Sequence, residues 1–278
     1  MAISTQIQWV NRTLTGGRII AGHTYNPWWG CMKVSEECKR CYAEGIASHY
    51  GFKSTWGPAS TTTRRFFSDA HWQEPLTWNR RAEREGHRHS VFCASMADVY
   101  EDNSILVPHR ERLWKLIEAT PWLNWLLLTK RPENILAMSP WTGNYPDNVW
   151  IGTSIGLQRR AEERLPRLLE VPAVVRFVSC EPLLGPLDLT PWLAGLHWVI
   201  CGGESGHEAR PMNPDWARSL RNQCLEARVP FYFKQWGGRY HNSGGRLLDG
   251  QIWDEMPPER PGEQNKSTHE VPVCPHSI

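Results

Sequence analysis

No apolar run in this 278-residue sequence is long enough to cross a membrane, and residues 1–8 lack the apolar core of a secretory leader. Both absences predict a cytoplasmic chain with no membrane partner. An excess of charge of one sign is also missing. The formal net charge is only +2, so nothing marks the whole surface as a nucleic-acid binder, and such a role needs a local patch. With no leader in front of them, the eight cysteines point to a reducing compartment and away from a disulfide framework. What the chain has in excess is tryptophan, sixteen residues, which fills cores and also stacks on flat ligands, so the count alone decides little. The 40% hydrophobic content suffices for a full core in one large domain or two small ones.

The most specific feature is Cys31-Met-Lys-Val-Ser-Glu-Glu-Cys38-Lys-Arg-Cys41-Tyr42, entered through Asn26-Pro-Trp-Trp-Gly30. Its C-x6-C-x2-C spacing puts three thiols within eleven residues, so one short loop can turn all three sulfurs toward a point. Crowded thiolates repel one another, and a soft metal centre relieves that repulsion. A closed zinc site takes four protein ligands, and so does a cluster used only for electron transfer. Three ligands leave a coordination position open, which suggests chemistry at the metal. Three readings stand side by side: scattered core cysteines, structural zinc with a remote fourth ligand (His49, His71 or Cys93), and an iron–sulfur cluster with an open iron. The ligand count and the glycine–aromatic entry favour the last, with Cys31, Cys38 and Cys41 as metal ligands. Gly30 lets the backbone turn before Cys31, while Pro27, Trp28 and Trp29 stiffen the approach and screen it from water.

Along the chain, residues 7–10 read as a short strand or lead-in, 41–50 as a helix, 61–67 as a short strand and 75–85 as a helix ending near Gly86. A repeating pattern follows. Apolar runs at 90–95, 125–129, 148–153, 174–179, 197–201 and 230–234 alternate with helical stretches at 107–118, 132–137, 158–169 and 215–227. Continuously apolar strands are buried on both faces, and helical crossovers make the sheet largely parallel. The expected class is α/β, a (β/α) barrel or partial TIM-like barrel with mostly parallel strands; a doubly wound sheet is the alternative. The barrel is expected over 1–240, with a hairpin-like extension over 241–256 around Asp249-Gly250. A disordered tail, 257–278, would remove Cys274 from the ligand candidates.

Ligands of parallel α/β folds bind at the carboxyl ends of the strands, and the unusual polar residues fall there. Asp98, Glu181 and Lys234 are candidates for positioning substrate or moving a proton. Lys130, Thr153, Ser154, Gly202, Gly203 and Glu204 are candidate cofactor contacts. The plainer readings are solvated loop charges for Lys130 and Arg131, a turn for Gly202-Gly203 (which is not a G-x-G-x-x-G), and core positions for Cys93, Cys180 and Cys201. A basic segment, 79–89, extended by Arg64, Arg65, Arg159 and Arg160, is either a solvated face, the favoured reading, or a phosphate-contacting patch.

Asn26-Pro-Trp-Trp-Gly-Cys31 with Cys38 and Cys41-Tyr-Ala-Glu44, Leu128-Thr-Lys-Arg-Pro-Glu133, Ser179-Cys-Glu-Pro-Leu183, Gly202-Gly-Glu-Ser-Gly206, Ala209-Arg-Pro-Met212 and Phe233-Lys-Gln-Trp-Gly237 together resemble the phage Gp37/Gp68 family of three-Cys-motif proteins, over about residues 7–256. A broader resemblance is to radical S-adenosylmethionine enzymes, which pair a partial (β/α) barrel with a three-Cys [4Fe–4S] cluster. It implies a cluster on Cys31, Cys38 and Cys41, S-adenosylmethionine as small-molecule cofactor with its methionine end near Gly202, Gly203 and Glu204, and an external electron donor. It implies reductive cleavage of S-adenosylmethionine and radical modification of a substrate; the phage setting and the basic patches suggest a nucleobase, nucleotide or nucleic acid. The sequence departs from that superfamily's common C-x3-C-x2-C spacing, its aromatic Tyr42 follows the last Cys, and its Gly-Gly-Glu lies late in the chain. Two other classes compete. One is a zinc-stabilised nucleic-acid-binding protein without catalysis, using Arg64, Arg65, Arg80, Arg81 and Arg84. The other is a metal-dependent nuclease-like enzyme using Asp98, Glu181 and Glu204.

Overall fold

Seven short strands pair in one sheet, each next to its neighbour in sequence and each parallel to it. They are β1 His23–Tyr25, β2 His89–Cys93, β3 Leu123–Thr129, β4 Val149–Ser154, β5 Val175–Cys180, β6 Trp198–Gly202 and β7 Phe231–Gln235. The helices are α1 Tyr42–His49, α2 Asp69–Glu85, α3 Val107–Glu118, the single turn α4 Ile135–Met138, α5 Gln158–Leu169 and α6 Pro214–Ala227. This computed structural model describes residues 7–14, 16–240 and 244–258. Sequential parallel order is the topology of a (β/α) barrel. Here β1 and β7 do not pair, so the sheet is a partial barrel and the doubly wound alternative is excluded.

Alternation along each strand builds two cores. One parity (Val91, Trp125, Leu127, Ile151, Val178, Val199, Phe231, Phe233) packs with the helices. The other (Phe92, Leu126, Trp150, Phe177, Trp198, Ile200, Tyr232) forms a second cluster with Trp9 and Val10. Because both faces are covered, the strands read as unbroken apolar runs. Residues 7–10, expected as a strand, contain instead a 3-10 turn, Gln8–Val10. It lies against both β2 and β7, and the Trp9 ring sits 4.7 Å from Phe92 and 6.0 Å from Trp198. A tryptophan thus fills the interior that an incomplete barrel leaves open.

Other expectations shift for local reasons. The first strand, β1, went unread because His-Thr-Tyr carries no apolar run. Helix α2 begins before the expected 75, with Pro75 inside it and Trp72 and Trp78 buried on either side; packing outweighs the cost of the missing N–H. Of 61–67 only Arg65–Phe66 is extended, paired with Trp28–Trp29. Between β5 and β6, where the sequence reads as a loop, the chain makes a short 3-10 turn, Leu193–Gly195. Leu247–Leu248 and Gln251–Ile252 pair across Asp249-Gly250, and the Phe233 amide donates to Trp253 O at 2.8 Å, joining that ribbon to β7. Of the expected tail, residues 259–278 lie outside the described residues. Among the described residues no helix is long and apolar enough to cross a membrane.

Trp9→Ala should lower unfolding free energy by about 3–5 kcal/mol in denaturant titration. Ile19→Ala, at an exposed position, should stay within about 0.5 kcal/mol.

Candidate metal centre

Parallel strands deliver their carboxyl ends to one side of the sheet, and the cysteine loop leaves β1 at that side. Asn26 fixes its start: the Asn26 amide donates to Ser95 Oγ (3.1 Å), and the Met96 N–H donates back to Asn26 Oδ1 (2.7 Å). Gly30 holds φ +115°, and a Cβ there would stand 2.3 Å from Thr55 O, so only glycine allows this turn. Cys31, Cys38 and Cys41 follow, all partly exposed. Cys31 and Cys41 pack on one small apolar cluster with Ala43, Ala47, Trp56 and Met96.

Three acid–arginine pairs fasten this loop. At the first, Asp98 accepts from Arg131 Nη1 (2.8 Å), Thr129 Oγ1 (2.7 Å), the Lys130 amide (3.1 Å) and the Tyr100 amide (3.0 Å). Arg131 in turn donates to Met32 O (2.6 Å) and to Cys31 Sγ (3.7 Å). At the second, Glu37 accepts from the Gly156 amide (2.9 Å) and lies 3.6 Å from Arg164, which also donates to Ser154 O (2.7 Å). At the third, Glu204 accepts from Arg210 Nε (2.8 Å), whose Nη2 reaches Glu36 O (3.2 Å), and Arg40 lies 3.9 Å away. Glu36 itself pairs with Arg159 and Arg160. The loop is therefore tied to the ends of β2, β3, β4 and β6.

The thiols are not equivalent. Burial pushes Cys31 up to about 12, Asp98 adding to the effect and Arg131 opposing it. At Cys38 burial acts in the same sense, but the Lys130 ammonium and backbone hydrogen bonds from Val34 and Ser35 outweigh it and hold the thiol below its ordinary value. Burial also works to raise Glu204, and the Arg210 hydrogen bonds win, keeping it below the usual carboxylate range. Among the described residues, no three His, Cys, Asp or Glu side chains stand close enough as placed to hold a metal ion.

The other expected site residues divide into two groups. Glu181 and Lys234 meet at 2.5 Å, Ser179 Oγ donates to Glu181 at 3.3 Å, and a Cβ on Gly202 would stand 3.0 Å from Glu181. These four form one polar cluster at the strand ends. Lys130 lines a cavity of about 290 Å³ with Val34, Glu133, Arg160, Glu163, Arg164 and Arg167. Thr153, by contrast, is buried and gives its hydroxyl to Thr129 O (2.9 Å), and Ser154 is buried beside it. At Gly203 a Cβ would lie 1.9 Å from Trp236 O, so this glycine serves a close backbone crossing. The oxygens of Asp98 and Glu204 are taken by the arginines that mount the loop and, at Asp98, also by Thr129 Oγ1 and the Tyr100 and Lys130 amides.

Several alternatives lose their residues. Cys93, Cys180 and Cys201 are fully buried core thiols. His71, offered as a fourth zinc ligand, has one ring nitrogen on Asn26 O (2.9 Å) and the other on Glu74 (3.3 Å). The basic patch is also dispersed. Arg64 is buried on Glu101, Thr55 O and Gly57 O; Arg65 lies 3.9 Å over the Phe52 ring; Arg81 pairs with Glu85 at 2.7 Å.

A family model described as "Protein of unknown function (DUF5131)" matches residues 4–257. This chain belongs to the DUF5131 family. No curated protein matches it. Among solved structures, a double mutant of spore photoproduct lyase with bound AdoMet and dinucleoside spore photoproduct is similar at 11% identity and a TM-score of 0.40. The match covers 81% of this chain and 66% of the other, so the chain spans just under two thirds of that protein.

In this DUF5131 protein sequence reasoning passed over Glu37, Arg164 and Arg210, and Arg131, read from the sequence as a solvated loop charge, is instead buried on Asp98. One signal was available for Arg164: it shares the buried face of α5 with Ala161, Leu165 and Leu168, where a solvated arginine does not belong. Removing the buried partner should matter far more than removing an exposed one. In denaturant titration Arg164→Met should cost about 3–5 kcal/mol, because Glu37 is left as an unpaired buried charge. Arg167→Met, which breaks an exposed pair with Glu170, should cost under about 1 kcal/mol.

Proposed function

We propose that this DUF5131 protein is an iron–sulfur enzyme of the radical S-adenosylmethionine type. The observation that carries the reading is one loop with three partly exposed thiols, fastened by buried ion pairs over the carboxyl ends of a parallel partial barrel. The donor set fits the group. Cys31, Cys38 and Cys41 are soft ligands on a single loop, the Lys130 ammonium and nearby hydrogen bonds hold the Cys38 thiol below its ordinary value, and the Arg131 guanidinium offsets negative charge at Cys31. With three protein ligands, a [4Fe–4S] cluster keeps one iron open for S-adenosylmethionine. When bound, the pair supplies one-electron reductive cleavage, with the electron from an external donor.

The chain's own residues bind and orient. The Glu181–Lys234 pair is the polar centre of the mouth, with an acceptor and a donor for substrate or for the amino and carboxylate groups of the cofactor. Ser179 holds the Glu181 carboxylate, and Gly202 leaves room above it. Glu204, Gly203, Thr153 and Ser154 support the framework in this reading, and Asp98 orients Arg131 rather than moving a proton. For the substrate we propose a nucleobase or nucleotide. The Lys130 ammonium, on the wall of the cavity of about 290 Å³, is the group there that a phosphate would meet, since Arg160, Arg164 and Arg167 beside it are paired with Glu36, Glu37 and Glu170.

Anaerobic purification and reconstitution, followed by absorption spectra and iron, sulfide and zinc analysis, test this reading. About four irons per chain are expected, lost when Cys31, Cys38 and Cys41 become Ala, with S-adenosylmethionine cleaved only when reductant is added. Colourless protein that takes up one zinc and no iron overturns it.

A further inference from the structure

Arg131 is buried, and it is one of the three arginines that mount the loop. It is the one whose guanidinium reaches a cysteine sulfur: Nη1 donates to Cys31 Sγ at 3.7 Å and to Asp98 Oδ2 at 2.8 Å, while Nη2 donates to Met32 O at 2.6 Å. Cys38 Sγ meets a neutral hydroxyl instead, Ser35 Oγ at 3.7 Å. The guanidinium cannot swing away. Asp98 is fixed by Thr129 Oγ1 and by the Lys130 and Tyr100 amides, and the Arg131 amide donates to Thr129 Oγ1 at 2.9 Å. Arginine suits this place because its planar fork serves a carboxylate, a carbonyl and a sulfur at once and keeps its charge when buried.

We infer that Arg131, clamped by Asp98, is a positioning residue that raises the reduction potential of the metal centre through Cys31. This rests on the cluster reading above. The physical ground is that one-electron reduction adds a negative charge to the centre and its thiolates. A fixed positive charge and an N–H···S hydrogen bond at one ligand stabilise that added charge. Asp98 works against the charge effect, since Nη1 serves both its carboxylate and the sulfur, but with Asp98 in place in every variant the guanidinium charge and its N–H···S hydrogen bond are what the substitution of Arg131 removes. The cost of burying Arg131 thus serves the ligand it touches as well as the loop.

The experiment is a reductive titration of anaerobically reconstituted protein with dithionite, followed by electron paramagnetic resonance, on wild type, Arg131→Met and Arg131→Lys. Iron per chain is measured on each sample. Arg131→Met should lower the potential so that reduction is about tenfold less favourable, about 59 mV for one electron. Arg131→Lys, which keeps the charge, should recover most of that shift. A purely structural role would reduce the iron content and leave the potential of the loaded fraction unmoved. Should Arg131→Met fail to fold, Arg131→Gln, which keeps an N–H donor without the charge, takes its place under the same criterion. Full iron with an unchanged potential, or equal shifts in the neutral and lysine variants, overturns the inference alone. A wild-type protein that binds only zinc overturns it together with the cluster reading.

Discussion

Three buried carboxylates, Asp98, Glu37 and Glu204, depend on three arginines, and the arrangement of the cysteine loop depends on those pairs. A buried carboxylate without a partner costs several kcal/mol, so each pair constrains where its arginine stands. Each arginine, once placed, has donors left over, and these or its carboxylate partner hold the loop: Arg131 at Met32 O, Glu37 as a member of the loop itself, Arg210 at Glu36 O. The loop contains few apolar residues and would otherwise have little to hold it. Its shape is imposed from outside, by charges seated at the ends of neighbouring strands.

The sheet makes this possible through its parallel order. Every strand ends on the same side, so residues remote in sequence are delivered to a common rim. The barrel's incomplete closure would leave its interior wet, and Trp9 with the inward aromatics Phe92, Phe177 and Trp198 fills it. The amino-end half is therefore a packed apolar plug, and the polar chemistry is confined to the other end, around Glu181, Lys234 and the cysteines. The division follows from strand parity. Inward positions are aromatic near the base and change to serine, glycine, glutamate and lysine at the rim.

Much of the framework was legible before any coordinates, for local reasons. Strands β2 to β7 are unbroken apolar runs, and α3 and α5 have strong periodicity, so their bounds, Val107–Glu118 and Gln158–Leu169, coincide with the expected ones. The failures also have local causes: β1 is too short and too polar to stand out, and Pro75 hid the first turns of α2. The mounts were illegible for a different reason. Arg131 and Glu37 carry the same charges as solvated residues, and only a partner about a hundred positions away or a strand end beside them reveals that they are buried. Glu181 and Lys234 were found because both follow apolar runs, but their meeting at 2.5 Å is a property of the fold alone. In the Gly-Gly-Glu motif the neighbours of Gly203 and Glu204, Trp236 and Arg210, are likewise a property of the fold that the sequence does not show.

The mounts also set an order of events during synthesis. The contacts that hold the loop span 99 residues from Met32 to Arg131, 119 from Glu37 to Gly156 and 174 from Glu36 to Arg210. All three cysteines leave the ribosome long before the last of these partners exists. Until Arg210 has been made and α6 has docked, the loop lacks its third anchor, and the thiols are carried by an unfinished barrel. The third anchor of this ligand set therefore becomes available only after β1 to β6 have been made, while β7 is still to come.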